Sequence, residues 1–353
     1  MAQHIYIGDD LKTELTKEFS GRSPSGVFIL VDSTTKELCL PLLGNEEYIQ
    51  QTNVIEIPAG DSHKTLETLA KVWLFLSQNN ASRKSLMINL GGGMVTDLGG
   101  FAASTFKRGM EYINIPTTLL GAVDAAVGGK TGINFNGLKN EIGVINSAKS
   151  VLIDVTFFKT LDRPNFLSGF AEMIKHGLIA SPEVWDNIIR FSLDEIDYKH
   201  LSVLLEESIQ VKEFFVEKDP TEKNIRKALN FGHTIGHAFE SHAMKSGMPV
   251  LHGYAVAWGM IAELYLSFKK TGFPKERLQE AVSLIKENYG ALHITCKQYE
   301  LLYDLMTHDK KNEGDGRILF SLLADIGDIR INENVEKKEI FEALDFYRDT
   351  VGV

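Results

Sequence analysis

Between residues 26 and 154 the apolar positions change period repeatedly. Short β-rich runs stand at Gly26–Asp32 (GVFILVD), Asn53–Ile57 (NVIEI), Ser85–Leu90 (SLMINL), Tyr112–Ile115 (YINI) and Val151–Asp154 (VLID). Between Asn53–Ile57 and Ser85–Leu90, the residues Leu66, Leu69, Ala70, Trp73 and Leu76 fall at the spacing of one helix face. Strands alternating with helices predict a parallel sheet. Beyond Asp154 the character changes. Thr156–Gly169 (TFFKTLDRPNFLSG) reads as a crossing segment. Most of the chain beyond it has helical period, including Leu201–Val216, Ala228–Ala243, Tyr254–Lys269 and Lys275–Asn288, with one β-like stretch at Arg317–Leu322. The pattern predicts an α/β + α protein. A Rossmann-like parallel α/β domain over residues 1–160 precedes a mostly α-helical domain over residues 161–353, the part of the chain that holds the candidate metal ligands.

Composition narrows the class. A length of 353 residues exceeds one ordinary core and suits about two domains. With 44% hydrophobic and 24% charged residues, the chain has the balance of a folded enzyme, not of a disordered one. The formal net charge of −10 repels nucleic acid and anionic membranes, so neither is expected as a partner. An anionic substrate would need a local basic cluster to overcome that field. The 2 cysteines, Cys39 and Cys296, form no CxxC, which excludes a disulfide scaffold and a thiolate zinc site. Reduced thiols in a cytoplasmic protein are the simplest expectation. The start, MAQHIYIGDD, lacks the apolar stretch of a signal peptide. The apolar stretch Leu251–Phe268 contains His252 and Glu263, and so reads as a buried helix and not a membrane span.

Candidate chemistry begins where Ser85–Leu90 runs into Gly91-Gly92-Gly93 and then Met94-Val95-Thr96-Asp97. Glycines between a strand and a helix let backbone N–H groups approach a pyrophosphate, although GxGxxG itself is absent. A tight turn without a ligand is the plainer alternative. The segment Gly121–Thr131 adds small residues, Asp124 and Lys130, and Asn136–Asn140 adds Lys139 beside an amide. Lysines and amides in glycine-rich surroundings supply phosphate donors.

His233 and His237 stand at i and i+4 in NFGHTIGHA, so a helix projects both from one face. His252 opens a long apolar helix, where the dipole disfavours imidazolium and keeps the ring available as a ligand. Glu172 lies in AEMIKH, at an otherwise apolar helix start. Spacing alone selects His233, His237 and Glu172 as ligands, with His252 in support. Capped or surface histidines are the bland alternative for an isolated HxxxH.

The segments GGGMVTDLGGFAASTFKRG, IPTTLLGAVDAAVGGKTGIN, GLKNEIG, GFAEMIKHG, LNFGHTIGHAFE and LHGYAVAWGM, taken in order, resemble the signature blocks of the 3-dehydroquinate synthase family. The resemblance runs from about residue 26 to Gly327. It implies a nucleotide-binding α/β domain plus a helical domain with the active site between them, and a homodimer. It implies Glu172, His233 and His252 as ligands of zinc, with cobalt a possible substitute, and His237 as a neighbouring active-site histidine. It implies that NAD meets Gly92, Gly93, Asp97, Thr117, Thr118, Lys130, Lys139 and the segment from Asp61 to Lys64, where the family commonly has Glu in place of Asp61. The substrate groups it implies are Asp124, Lys130, Lys139, Asn140, Lys175, Lys212, Arg226, Asn230 and Lys310, with Arg108 reaching a phosphate across the dimer interface.

The implied substrate is 3-deoxy-D-arabino-heptulosonate 7-phosphate, and the implied product is 3-dehydroquinate, in the shikimate route to aromatic amino acids. Transient oxidation by NAD acidifies a C–H bond, phosphate leaves, the hydride returns, and an aldol step closes the ring. Three other readings compete: a metal-dependent dehydrogenase of the glycerol dehydrogenase type, a cyclase acting on sedoheptulose 7-phosphate, and an NAD-binding regulator. The joint presence of Lys212, Arg226, Asn230 and His237 argues for a substrate carrying both carboxylate and phosphate.

Overall fold

The computed structural model describes residues 3–20, 26–44, 47–136, 138–307 and 317–352. Lys310, implied by the resemblance as a substrate group, lies outside the described residues. The chain divides into two compact units. The first comprises Met1–Asp162 with Asp197–Ile209, and the second Arg163–Ile196 with Gln210–Val353.

The first unit carries β1 (His4–Gly8), β2 (Val27–Asp32), β3 (Asn53–Ile57), β4 (Leu86–Gly91), β5 (Glu111–Pro116), β6 (Lys130–Phe135), β7 (Leu138–Ile145) and β8 (Ser150–Asp154). Six of these form one parallel sheet in the order β1-β8-β5-β4-β2-β3. Every residue of β2, β4 and β8 is buried, which is why these strands read as continuous apolar runs and not as alternation. The connection from β2 leads outward to β3, whereas that from β4 leads the other way to β5. Such a reversal leaves a crevice at the carboxyl ends of the strands, the usual ligand position in an open α/β sheet.

Helices α1 (Leu11–Phe19), α2 (Ser33–Leu38), α3 (Glu47–Gln50), α4 (Leu66–Gln78) and α5 (Gly93–Thr105) accompany the sheet. The buried face of α4 is Thr68, Leu69, Val72 and Leu76. Leu66 and Ala70, expected on that face, are both exposed. The stripe is thus rotated from the predicted one. The strands β1, β6 and β7 escaped the hydrophobic pattern. β1 is a short edge strand that pairs only with β8. β6 and β7 form an antiparallel hairpin inside what the sequence presents as a glycine-rich loop. Its glycines serve close approach: a Cβ at Gly143 would lie 2.1 Å from the Thr131 carbonyl oxygen.

The second unit is built on α6 (Arg163–Ala180), α7 (Pro182–Ile189), α8 (Tyr198–Lys218, shared with the first unit), α9 (His233–Lys245), α10 (His252–Lys270), α11 (Lys275–Tyr289), α12 (Tyr299–Thr307) and α13 (Lys337–Val351). A hairpin of β9 (Leu319–Asp325) and β10 (Asp328–Asn334) completes it. The helix expected over Ala228–Ala243 is interrupted. A 3-10 turn over Ile225–Asn230 precedes Gly232, whose φ of +79° turns the chain into α9. The crossing segment also ends earlier than expected, so Glu172 sits in the middle of α6 and not near its start. No described helix is long and apolar enough to cross a membrane.

Helices α9 and α10 meet backbone to backbone. A Cβ at Gly259 would stand 2.1 Å from the Gly232 oxygen and 2.6 Å from the Gly236 nitrogen, and one at Gly236 would stand 2.9 Å from the Ala255 oxygen. Backbone cannot swing aside as a long side chain can, so these glycines fix the helix spacing. Gly259→Ala should therefore destabilise the protein by about 2 kcal/mol or more. Urea unfolding followed by circular dichroism reads this directly, and an unchanged midpoint would contradict the packing described.

Candidate functional site

In the first unit, β4 delivers Gly91 to the start of α5. Gly92, the residue before the helix, has extended backbone and offers no side-chain cap. The first N–H groups of α5 therefore lack an intrahelical acceptor and point at whatever occupies the turn. A Cβ at Gly92 would lie 3.0 Å from Thr118 Cγ2, and one at Gly93 3.0 Å from Ala125 Cβ. The turn is thus a cradle that side chains would fill. The Thr117 hydroxyl is buried near the Cys39 thiol, while Thr118 Oγ1 accepts from Gly121 N at 3.0 Å. Asp124 lies half-buried in the adjoining Gly121–Ala125 turn.

Asp97 stands one turn into α5 and pairs with the buried Lys64 ammonium, which also donates to Asn140 Oδ1. Asn140, at φ +51°, donates its backbone N–H to Asn134 Oδ1 at 3.0 Å. Asn134 in turn donates to the Asp61 carbonyl at 3.1 Å, and Lys139 stands 3.4 Å from the Asp61 carboxylate. Asp61, Lys64, Asp97, Lys139 and Asn140 thus belong to one network. Asn134, which joins them, closes the block IPTTLLGAVDAAVGGKTGIN, yet sequence alone assigns it no role. Lys130 is exposed at the start of β6, and Arg108 is exposed in a turn at φ +69°.

In the second unit, α6 buries Glu172 completely. Its Oε1 faces His233 Nε2 at 3.3 Å and His252 Nε2 at 3.6 Å, and Lys175 Nζ pairs with Oε2. His233 and His252 each have the other ring nitrogen engaged: His233 Nδ1 lies 3.0 Å from the Phe231 carbonyl, and His252 Nδ1 lies 3.1 Å from Glu240 Oε2. Anchoring Nδ1 in this way aims Nε2 inward, the arrangement that orients metal-ligating imidazoles. His233, His237 and His252 each offer a ring nitrogen within 4.8 Å of the others.

Burial alone would raise the Glu172 carboxyl, but the Lys175 ammonium and the His233 and His252 rings hold it well below the usual carboxylate range. Burial likewise opposes charge on His252, yet Glu172 and Glu240 carry its pKa up to about 10. The helix N-terminus was expected to keep this ring neutral. With no cation present the facing carboxylates favour the protonated ring, as whole charges at contact distance; a bound metal ion would take the proton's place and leave the ring neutral. Imidazoles with a carboxylate are a donor set suited to zinc. Lys175 occupies Oε2, so Oε1, which faces both imidazole Nε2 atoms, is the oxygen placed to meet such an ion.

The profile described as 3-dehydroquinate synthase N-terminal matches residues 54–168, and its C-terminal counterpart matches residues 169–312. The chain is 54% identical over 351 residues to 3-dehydroquinate synthase of Parabacteroides distasonis, an alignment covering 99% of each. This chain belongs to the 3-dehydroquinate synthase family. Among solved structures it resembles ValA, the 2-epi-5-epi-valiolone synthase of Streptomyces hygroscopicus with NAD+ and Zn2+ bound, with a TM-score of 0.86 at 26% identity over 99% of this chain and 97% of that one. A 2-deoxy-scyllo-inosose synthase shares the fold, with a TM-score of 0.82 at 22% identity over 96% and 95% of the two chains.

As a 3-dehydroquinate synthase family member, the chain also has cations to account for. Lys175, Lys212 and Arg226 are almost fully buried. Arg226 donates to the Pro220 carbonyl at 3.0 Å, and its backbone N–H to Asp219 Oδ2 at 3.2 Å. Asn230 donates to Glu222 Oε1 at 3.1 Å. The ring of His237 is edge-on to His233 at 5.3 Å between centroids. Two acidic residues were missed by motif reasoning. Glu240 follows His233 by seven positions and His237 by three, so the helical period already placed it on the same face. Glu263 registered in the sequence only as a charge interrupting an apolar helix.

Glu172→Gln should weaken zinc binding at least about tenfold, because the charged donor at the centre of the cluster is lost. Competition with a chromophoric chelator measures this, and wild-type affinity in the variant would remove Glu172 from the ligand set.

A second comparison separates the two ligand assignments. His252→Ala is expected to lose most bound metal, whereas His237→Ala should keep it and lose turnover. Metal content of the purified variants decides, and the reverse result would make the i, i+4 pair His233 and His237 the ligands.

Proposed function

We propose that this protein is a cyclising phosphate lyase that converts 3-deoxy-D-arabino-heptulosonate 7-phosphate into 3-dehydroquinate and inorganic phosphate, in the shikimate pathway. The observation that carries the reading is the convergence of His233 Nε2 and His252 Nε2 on the buried Glu172 carboxylate, in a chain whose family membership is shown along its length. Glu172, His233 and His252 would hold a zinc or cobalt ion, and the Gly91–Gly93 turn with Thr117, Thr118 and Asp97 would hold NAD. When bound, the metal supplies a Lewis acid for a substrate oxygen, and NAD supplies a transient hydride acceptor.

The chain's own residues bind and orient the substrate. Lys130, Lys139 and Asn140 are assigned to the phosphate, with Arg108 contributed across a homodimer interface. Lys175, Lys212, Arg226 and Asn230 are assigned to the carboxylate and hydroxyl end. Buried cations supported by carbonyl and carboxylate acceptors suit a multiply anionic ligand, and they supply the local attraction that the net charge of −10 opposes. Asp124 is assigned to a substrate hydroxyl. His237, beside the ligand histidines, is assigned to proton movement at the substrate. The free thiols of Cys39 and Cys296 suit a cytoplasmic location.

The stoichiometry of the reaction tests the reading. Phosphate and NADH absorbance are followed in one sample containing the heptulosonate phosphate, zinc and a catalytic amount of NAD. Many phosphates released per NAD, with no accumulating NADH, is the expected result. NADH formed one for one with product would make the protein a dehydrogenase instead.

A further inference from the structure

We propose that Glu263 is a positioning residue for the metal ligands: from α10 it caps the first turn of α9 and thereby fixes where His233 stands. The proposal rests on the metal-site reading. Glu263 has no exposure to solvent. Its Oε2 accepts from Gly232 N at 2.7 Å, and its Oε1 accepts from Ile235 N at 3.0 Å. His233, the first residue of α9, lies between these amides in sequence. A helix is ordinarily capped by the residue just before it. Here that residue is Gly232, which has no side chain to offer. The cap is therefore supplied from another helix, and the same helix opens with His252. One rigid element thus presents His252 directly and holds His233 through its backbone.

The physics favours a carboxylate in this role. Free N–H groups and the helix dipole both stabilise negative charge at an N-terminus, and bonds to an ionised acceptor are the stronger kind. The backbone contact of Gly259 with Gly232 fixes the distance between α9 and α10, whereas Glu263 fixes the orientation of the first turn. Without the cap, two buried amides lose their acceptor, and the turn has reason to shift. His233 Nε2 would move with it relative to the Glu172 carboxylate.

The test measures zinc affinity of the full chain by chelator competition, with the visible spectrum of bound Co2+ as a reporter of ligand geometry. Glu263→Gln is expected to weaken zinc about tenfold or more and to alter the cobalt spectrum. In a His233→Ala background the same substitution should cause no further loss, since its effect runs through that ligand. A folded Glu263→Gln with wild-type affinity and spectrum would overturn the proposal, as would an equal loss in both backgrounds, which marks general loosening. Should Glu263→Gln fail to fold, Glu263→Asp, with its charge kept and its reach shortened, is read by the same cycle and the same criteria. A wild-type chain that binds no zinc would instead defeat the metal-site reading itself.

Discussion

A carboxylate removed from water must be compensated or it will take up a proton. Glu172 is buried at the middle of α6 with Lys175 one turn along and two histidine rings facing its other oxygen. Most of the second unit's organisation follows from that demand. His252 must start a helix that lies against α6, and Gly253 permits it: a Cβ there would sit 1.9 Å from the Ser168 carbonyl oxygen. His233 must start another helix that lies against α10, and Gly232, Gly236 and Gly259 permit that. Polar groups behind the rings then set their orientation, through Glu240 and the Phe231 carbonyl. The helical packing and the polar cluster are therefore one arrangement.

The first unit follows a different constraint. Its glycine turn is a cradle of backbone groups. Strand β4 runs at the centre of the sheet and ends in glycines, so the amides at the start of α5 remain accessible. Around this cradle lies a polar network in which Lys64 joins Asp97 to Asn140, and Asn134 joins Asn140 to Asp61. The two halves suit different ligands for this reason. Backbone N–H groups at a helix end accept any phosphate-bearing group that fits, whereas a cluster of imidazoles and carboxylate selects a cation.

The sequence by itself determined five of the six strands of the parallel sheet, because buried parallel strands read as apolar runs that require no partner to be recognised, whereas the half-exposed edge strand β1 does not. It determined the long helices of the second half for the parallel reason of periodicity, and it presented the residues of both clusters in blocks specific enough to name the family. Tertiary structure decided the rest. β6 and β7 were hidden because their glycines, which ordinarily mark loops, are there to let two backbones approach. α9 begins later than its apolar period suggests, because a positive φ at Gly232 depends on contacts from α10. The setting of the His252 ring depends on Glu172 and Glu240, which are distant in sequence or visible only as a helical period. The cap from Glu263 could not be seen at all, since capping is a local signal and this acceptor arrives from 31 residues away along the chain. Periodicity and motif are properties of neighbours along the chain, whereas the position of a metal ligand is set by what packs across from it.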